Sequence, residues 1–394
     1  MNITLTRDEV KLTEQEAKCE YKDLPPSRAA APAPGKAAII DLPSFYADFD
    51  GRSHGDKEYK SSSRDVRRLL EAAEKEHVAG VILDLRSDGG GSLDEAVSIA
   101  GLFIPPGPVV QVRNAERGIQ LLECKDAALY TGPLVVLVNR LSASASEIVA
   151  AALQDYRRAV IVGEQSTHGK GTVQTVYHLD DIVRRVLVYK NRPPGSLKFT
   201  IAKFYRVNGG STQLKGVVPD VTFPSFTDFM ELGETKLPSA LGWDEIEARP
   251  IHPGTDISLW LPTLKEWSQA RTAADPEFQA YAAVVKRYGE FRQIKSISLN
   301  RAKREALQKE EEEFSKTIQA SLTNSRKARG KDKDKEKDTP PPKDLMLDEA
   351  LHILGDMIRL KTEPPPLIAN PIAAAAAAAT ADPAAPSPGT ATAK

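Results

Sequence analysis

The chain of 394 residues has only two cysteines, Cys19 and Cys124. That scarcity excludes a disulfide framework and a thiolate metal cluster, and leaves at most one bridge. Charge of one sign is also missing. Fifty-three Lys and Arg stand against 54 Asp and Glu, a formal net charge of -1. No global field therefore marks nucleic acid or an anionic membrane as the partner. No apolar run approaches the roughly 20 residues a membrane-spanning helix needs, so no transmembrane segment is expected. The opening MNITLTRDEVKLTEQEAK lacks the apolar core of a signal peptide. The six histidines show no metal-ligand spacing. What remains is ordinary for a folded domain, with 41% hydrophobic and 27% charged residues.

From Lys36 to about Asp228 the pattern alternates between strand and helix. KAAIIDLPSFY, AGVILDLRS, PLVVLVN and AVIVGE read as strands; AGVILDLRS is a continuous apolar run of the kind buried on both faces, and PLVVLVN is another buried strand. Between them, SSRDVRRLLEAAEKEHV carries Val66, Leu69, Leu70 and Ala73 at helical spacing. SLDEAVSIAGLF and SASEIVAAALQDYRR follow as further helices, the former stopped by Pro105-Pro106. The fold class is α/β, a mostly parallel sheet flanked by helices. Residues 229–330 turn helical and charged, with REALQKEEEEFSKTIQASL the clearest helix. Residues 331–345 read as a charged linker, 346–363 as an amphipathic helix, and 364–394 as a Pro/Ala-rich disordered tail. Upstream, residues 2–12 alternate like one strand. Residues 1–18 are expected to be the remnant of a preceding domain, and 19–35 a linker.

Three segments follow strands and can meet beyond the sheet's C-terminal edge, where open α/β sheets bind ligands. SASAS places serines at a strand-to-helix turn, with the free N–H groups of a helix start nearby. Ser144 and Glu147 also fit a capping box, which is compatible with a nucleophile held by cap geometry. DGGG supplies Gly89, Gly90 and Gly91, which let backbone N–H groups turn toward a ligand. It has neither G-x-G-x-x-G nor GK[ST], so it fits an oxyanion better than a nucleotide. GKGTVQ supplies Lys170, and in an extended segment Thr172 and Gln174 share its face. A lysine acts as a base only when burial lowers its pKa. His168 is a competing base without an evident carboxylate partner. Asp155, 11 residues beyond Ser144 on one helix, is about 16 Å away along the axis. It reads as structural, pairing with Arg157 or Arg158.

These segments, with GLFIPPGPVVQVR and KFYRVNGGSTQLKGVVPD, resemble the tail-specific proteases, or C-terminal processing peptidases, of the bacterial periplasmic branch. The likeness covers most of residues 1–330. It implies a crotonase-like/ClpP-like protease core and a Ser-Lys mechanism with no metal or cofactor. In that mechanism Ser144 is the nucleophile, Lys170 the base and Gln174 its orienting partner. Gly90 and Ala145 form the oxyanion hole, and Glu147 and Asp155 support activity. The implied partners are unfolded polypeptides or accessible C-termini, with an adaptor protein, and the implied compartment is the periplasm. Two departures stand out. The loop GEQSTHGKG is one residue longer than the family's, with His168 at an aromatic position. Most of the PDZ-like and N-terminal regions of the family are expected to be lacking. An acyl-CoA enzyme of crotonase type and a catalytically impaired adaptor are the alternative readings.

Overall fold

The computed structural model describes residues 15–26, 35–114, 116, 118–179, 195–310, 312 and 343–362. Its strands are β1 (Lys18–Asp23), β2 (Lys36–Asp41), β3 (Gly80–Asp84), β4 (Gly107–Asn114), β5 (Gly118–Cys124), β6 (Leu134–Val138), β7 (Val160–Gly163), β8 (Thr172–His178), β9 (Ser196–Tyr205) and β10 (Val221–Thr222). In the first part of the chain the helices are α1 (Phe49–Ser53), α2 (Ser62–Lys75), α3 (Leu93–Gly101) and α4 (Ala145–Asp155).

Six strands form one sheet in the order β1-β2-β3-β6-β7-β10. Every pair from β2 to β10 is parallel, and β1 is antiparallel to β2. Strands β3, β6 and β7 are buried along their whole length, as their unbroken apolar runs require. Register follows from those runs: Ile39 lies beside Ile82, Ile82 beside Val135 and Val135 beside Val160. Helix α4 is buried from Ala145 to Leu153, so it behaves as a core element and not as a surface helix. The α/β architecture with a mostly parallel sheet is the one expected from sequence.

Two features differ from expectation. Residues 18–23 fall in the expected remnant and linker, but they form edge strand β1, with Cys19 opposite Ile40. Its sequence KCEYKD is short and polar, and the pairing with β2 supplies the order that its own pattern does not. The strand expected over 2–12 lies outside the described residues, as do nearly all of the charged linker and the tail beyond 363. The second difference is a separate antiparallel sheet in the order β5-β4-β9-β8. Strand β9 is exposed from Ser196 to Ile201, so it has no clean inside-outside alternation to read.

The C-terminal part is helical, over Leu261–Ala274, Pro276–Arg292, 301–310 and Leu345–Thr362. Residues 1–358 make one compact unit; of a second, 359–394, residues 359–362 are described and are helical. Within the first unit, Leu354 packs on the start of β3 so closely that a Cβ at Gly80 would lie 2.7 Å from it. Nearby, Arg86 bridges Asp84 at 2.6 Å and Asp344 at 2.9 Å, tying the sheet to the segment before the last helix.

Candidate active site

Strand β6 ends at Val138, and the turn 139–144 feeds α4. The three serines of this turn have different fates. Ser142 is fully buried; its hydroxyl accepts from Asn139 N–H at 2.9 Å and donates to Leu85 O at 2.8 Å. Ser146 is fully buried and its hydroxyl donates to Asp88 O at 2.9 Å. Ser144, between them, is partly exposed. Its backbone sits at φ 58°, ψ -109°, a conformation that costs a non-glycine residue about 1–3 kcal/mol. The structure thus spends two hydroxyls on the turn and presents the middle one at a strained strand-to-helix junction.

The glycine segment lies directly against this serine. Gly90 has φ 96°, and a Cβ there would come within 2.7 Å of Ala143 O and 2.8 Å of Ser144 Cβ. Only glycine allows that approach. Ala145 is the first residue of α4, so its N–H has no intrahelical acceptor. Gly90 N–H, in contrast, donates to Asp88 Oδ1 at 2.7 Å. Sequence reasoning singled out the glycines and passed over this aspartate. Asp88 is fully buried, and burial pushes its carboxyl up to about 8.

Lys170 enters on the loop between β7 and β8, and one carboxylate organises that loop. Glu147, in the first turn of α4, is fully buried and accepts four hydrogen bonds. Its Oε2 accepts Ser144 N–H at 2.8 Å and Lys170 N–H at 3.0 Å. Its Oε1 accepts the Thr167 hydroxyl at 2.6 Å and Gly169 N–H at 2.7 Å. The backbone nitrogens of Ser144 and Lys170 are therefore no more than about 6 Å apart, the sum of two hydrogen-bond lengths. Burial pushes the Glu147 carboxyl up to about 7, and the four donors oppose that shift. The loop is also held by Val217 N–H, which donates to Thr167 Oγ1 at 2.7 Å.

Lys170 Nζ donates to Gln174 Oε1 at 3.3 Å, so the extended start of β8 does bring these two side chains together. Burial lowers the pKa of Lys170, and the positive charge of Lys198 lowers it further; Glu234 and Glu147 act in the opposite sense. Among the described residues no hydrogen bond joins Ser144 Oγ directly to Lys170 Nζ; hydrogen bonds of this kind often tighten only when substrate is bound.

Asp155 sits at the far end of α4, away from Ser144, as the helix rise requires. Its partner is not Arg157 or Arg158. Arg206, just past β9, meets it at 2.6 Å, and Asn208 donates to it at 2.9 Å. Arg157 turns to Asp256, and Arg158 to the carbonyls of Phe103, Tyr130 and Gly132. The pairing is long-range and has no local signal. His168 has a carboxylate that the sequence did not reveal: Glu234 Oε2 is 4.0 Å from its Nδ1. Burial lowers the His168 pKa. Gly171 N–H donates to Gln213 Oε1 at 2.8 Å, and Gln213 donates in turn to Glu234 at 3.1 Å. Arg140, before the serines, reaches Thr167 O at 2.7 Å and Leu232 O at 3.3 Å. Residues 232–234 thus buttress the loop that carries Lys170. A cavity of about 630 Å³ lined by Arg271, Glu349 and His352 lies apart from all of these groups.

Residues 36–223 match the model of peptidase family S41, and the chain belongs to that family. Residues 227–359 match the C-terminal domain of tail specific protease, which puts the chain with the tail-specific proteases. It is 40% identical over 371 residues to the tail-specific protease of Haemophilus influenzae, covering 90% of this chain and 48% of that one. It is 36% identical over 168 residues to the carboxy-terminal-processing protease of Bartonella bacilliformis, covering 42% and 36%. Among solved structures, the photosystem II D1 C-terminal processing protease overlaps 55% of this chain and 50% of its own, at 28% identity and a TM-score of 0.42. The chain spans about half the length of its Haemophilus relative.

Proposed function

We propose that this chain carries the active site of a serine endopeptidase that hydrolyses polypeptides through a Ser144-Lys170 dyad. The observation that carries the reading is the Glu147 carboxylate, one oxygen of which holds the backbone N–H of both residues. Neutral Lys170 takes the Ser144 hydroxyl proton as Oγ bonds to the substrate carbonyl carbon. The carbonyl oxygen becomes an oxyanion beside the N–H groups of Ala145 and Gly90. The protonated Lys170 then gives its proton to the leaving amine as the C–N bond breaks. Water attacks the acyl-enzyme, loses a proton to Lys170, and Ser144 leaves with that proton restored. Gln174 fixes the lysine amine, and the lowered pKa of Lys170 enlarges its neutral fraction. None of these steps calls for a metal or a cofactor.

The substrates are polypeptides that are unfolded or present an accessible C-terminus, and the compartment is the periplasm; both follow from the family likeness alone. The test is cleavage of an unfolded protein by the wild-type chain, Ser144→Ala and Lys170→Ala. Both variants should lose turnover by at least about 10³-fold, in line with removal of a nucleophile or its base. Wild-type cleavage by either variant would overturn the assignment.

A further inference from the structure

The mechanism needs Gly90 N–H, and the structure has that group occupied. Asp88 Oδ1 accepts it at 2.7 Å, while Asp88 Oδ2 is buried with no hydrogen-bond partner among the described residues. The peptide carbonyl of the same residue holds the nucleophile turn, accepting Ala143 N–H and the Ser146 hydroxyl, both at 2.9 Å. Asp88 is therefore fixed at its backbone, and its side chain closes on the donor beside Ser144.

We propose that Asp88 is a positioning residue that latches the oxyanion hole, releasing Gly90 N–H to an oxyanion only while its carboxyl is neutral. The inference rests on the reading of Ser144 as nucleophile and Gly90 as an oxyanion donor. A charged carboxylate holds an N–H by a charge-assisted bond and adds a second negative charge beside the developing oxyanion. A neutral carboxyl is a weaker acceptor and adds none. The groups that face the carboxyl are Gly90 N–H from its own loop, the Ser146 side chain from α4, and Asp41 from the end of β2. Of these only Asp41 can carry charge, and a like charge favours the neutral form, as burial does. An orphaned buried oxygen is also less costly on a neutral acid than on an anion.

The experiment measures kcat and KM of the full chain from pH 6.5 to 9.5 on an unfolded polypeptide, for wild type, Asp88→Asn and Ser144→Ala. Asparagine keeps an acceptor for Gly90 N–H and the side-chain volume, and it does not ionise. Taking the ratio of Asp88→Asn to wild type cancels the titration of Lys170. That ratio should rise about 30-fold across the range, in kcat and not in KM. A ratio independent of pH, with Ser144→Ala inactive, overturns the latch alone. An active Ser144→Ala overturns the nucleophile reading and the latch with it. If Asp88→Asn does not fold, the amide proton of Gly90 in the wild-type chain reads the same event by NMR. A shift with a midpoint near 8 supports the latch, and a shift that is flat over this range overturns it.

Discussion

Glu147→Gln perturbs the shared anchor of Ser144 and Lys170. Above about pH 7 the carboxylate is ionised, and at pH 8 its four lone-pair positions face Ser144 N–H, Lys170 N–H, Gly169 N–H and the Thr167 hydroxyl. Glutamine replaces one acceptor oxygen with a donor. In its better orientation the amide oxygen keeps Ser144 and Lys170. The new NH2 then points at Thr167 Oγ1, which can accept, and at Gly169 N–H, which cannot. Gly169 N–H and the Thr167 hydroxyl proton both lose their acceptor and the charge assistance is lost, a cost of about 2–6 kcal/mol. Glu147→Ala orphans all four donors and opens a cavity, about 5 kcal/mol or more. Glu147 does not touch substrate in this account, so the kinetic effect belongs in kcat. A displacement of about 1 Å between Ser144 and Lys170 costs on the order of 10²-fold. Chemical denaturation at pH 8 and steady-state cleavage read the two consequences. A Glu147→Gln chain with wild-type stability and wild-type kcat refutes the shared anchor.

Other predictions follow from the same geometry. Gly90→Ala forces a Cβ against Ala143 O and Ser144 at positive φ, and should cut kcat by about 10²-fold while KM holds. Removing the charge of Lys198 by Lys198→Gln raises the Lys170 pKa, so the ascending limb of the kcat–pH profile should move to higher pH. An unmoved limb contradicts the electrostatic role given to Lys198. Asp155→Ala leaves Arg206 without its buried partner and should cost about 3 kcal/mol in denaturation. A denaturation midpoint equal to wild type would show that this pair does not hold α4. Gln174→Ala frees Lys170 Nζ and should lower kcat by about 10-fold, read by single-turnover cleavage.

The parallel core was legible because β3, β6 and β7 are buried on both faces and their sequences are unbroken apolar runs. The pairing of Lys170 with Gln174 was legible because an extended segment puts them on one face. Other features depend on contacts remote in sequence. Arg206 reaches Asp155 across 51 residues, and Glu234 reaches the Lys170 loop from beyond β10. Strand β1 is ordered by β2 and not by its own polar pattern. The choice of Ser144 over Ser142 and Ser146 came from family likeness at the sequence level. The structure adds an independent physical reason, because the other two hydroxyls are committed to buried partners. Asp88 stands in a motif whose sequence signal is its glycines, and its own role depends on the burial that the fold imposes.

The most direct measurement of the central claim is covalent labelling with a serine-reactive fluorophosphonate, mapped by peptide mass spectrometry. A single adduct on Ser144 is expected, formed faster as pH rises toward about 8, where Asp88 ionises, and slowed by about 10²-fold or more in Lys170→Ala. Labelling at Ser142 or Ser146, or labelling of Ser144 at the same rate without Lys170, would contradict it.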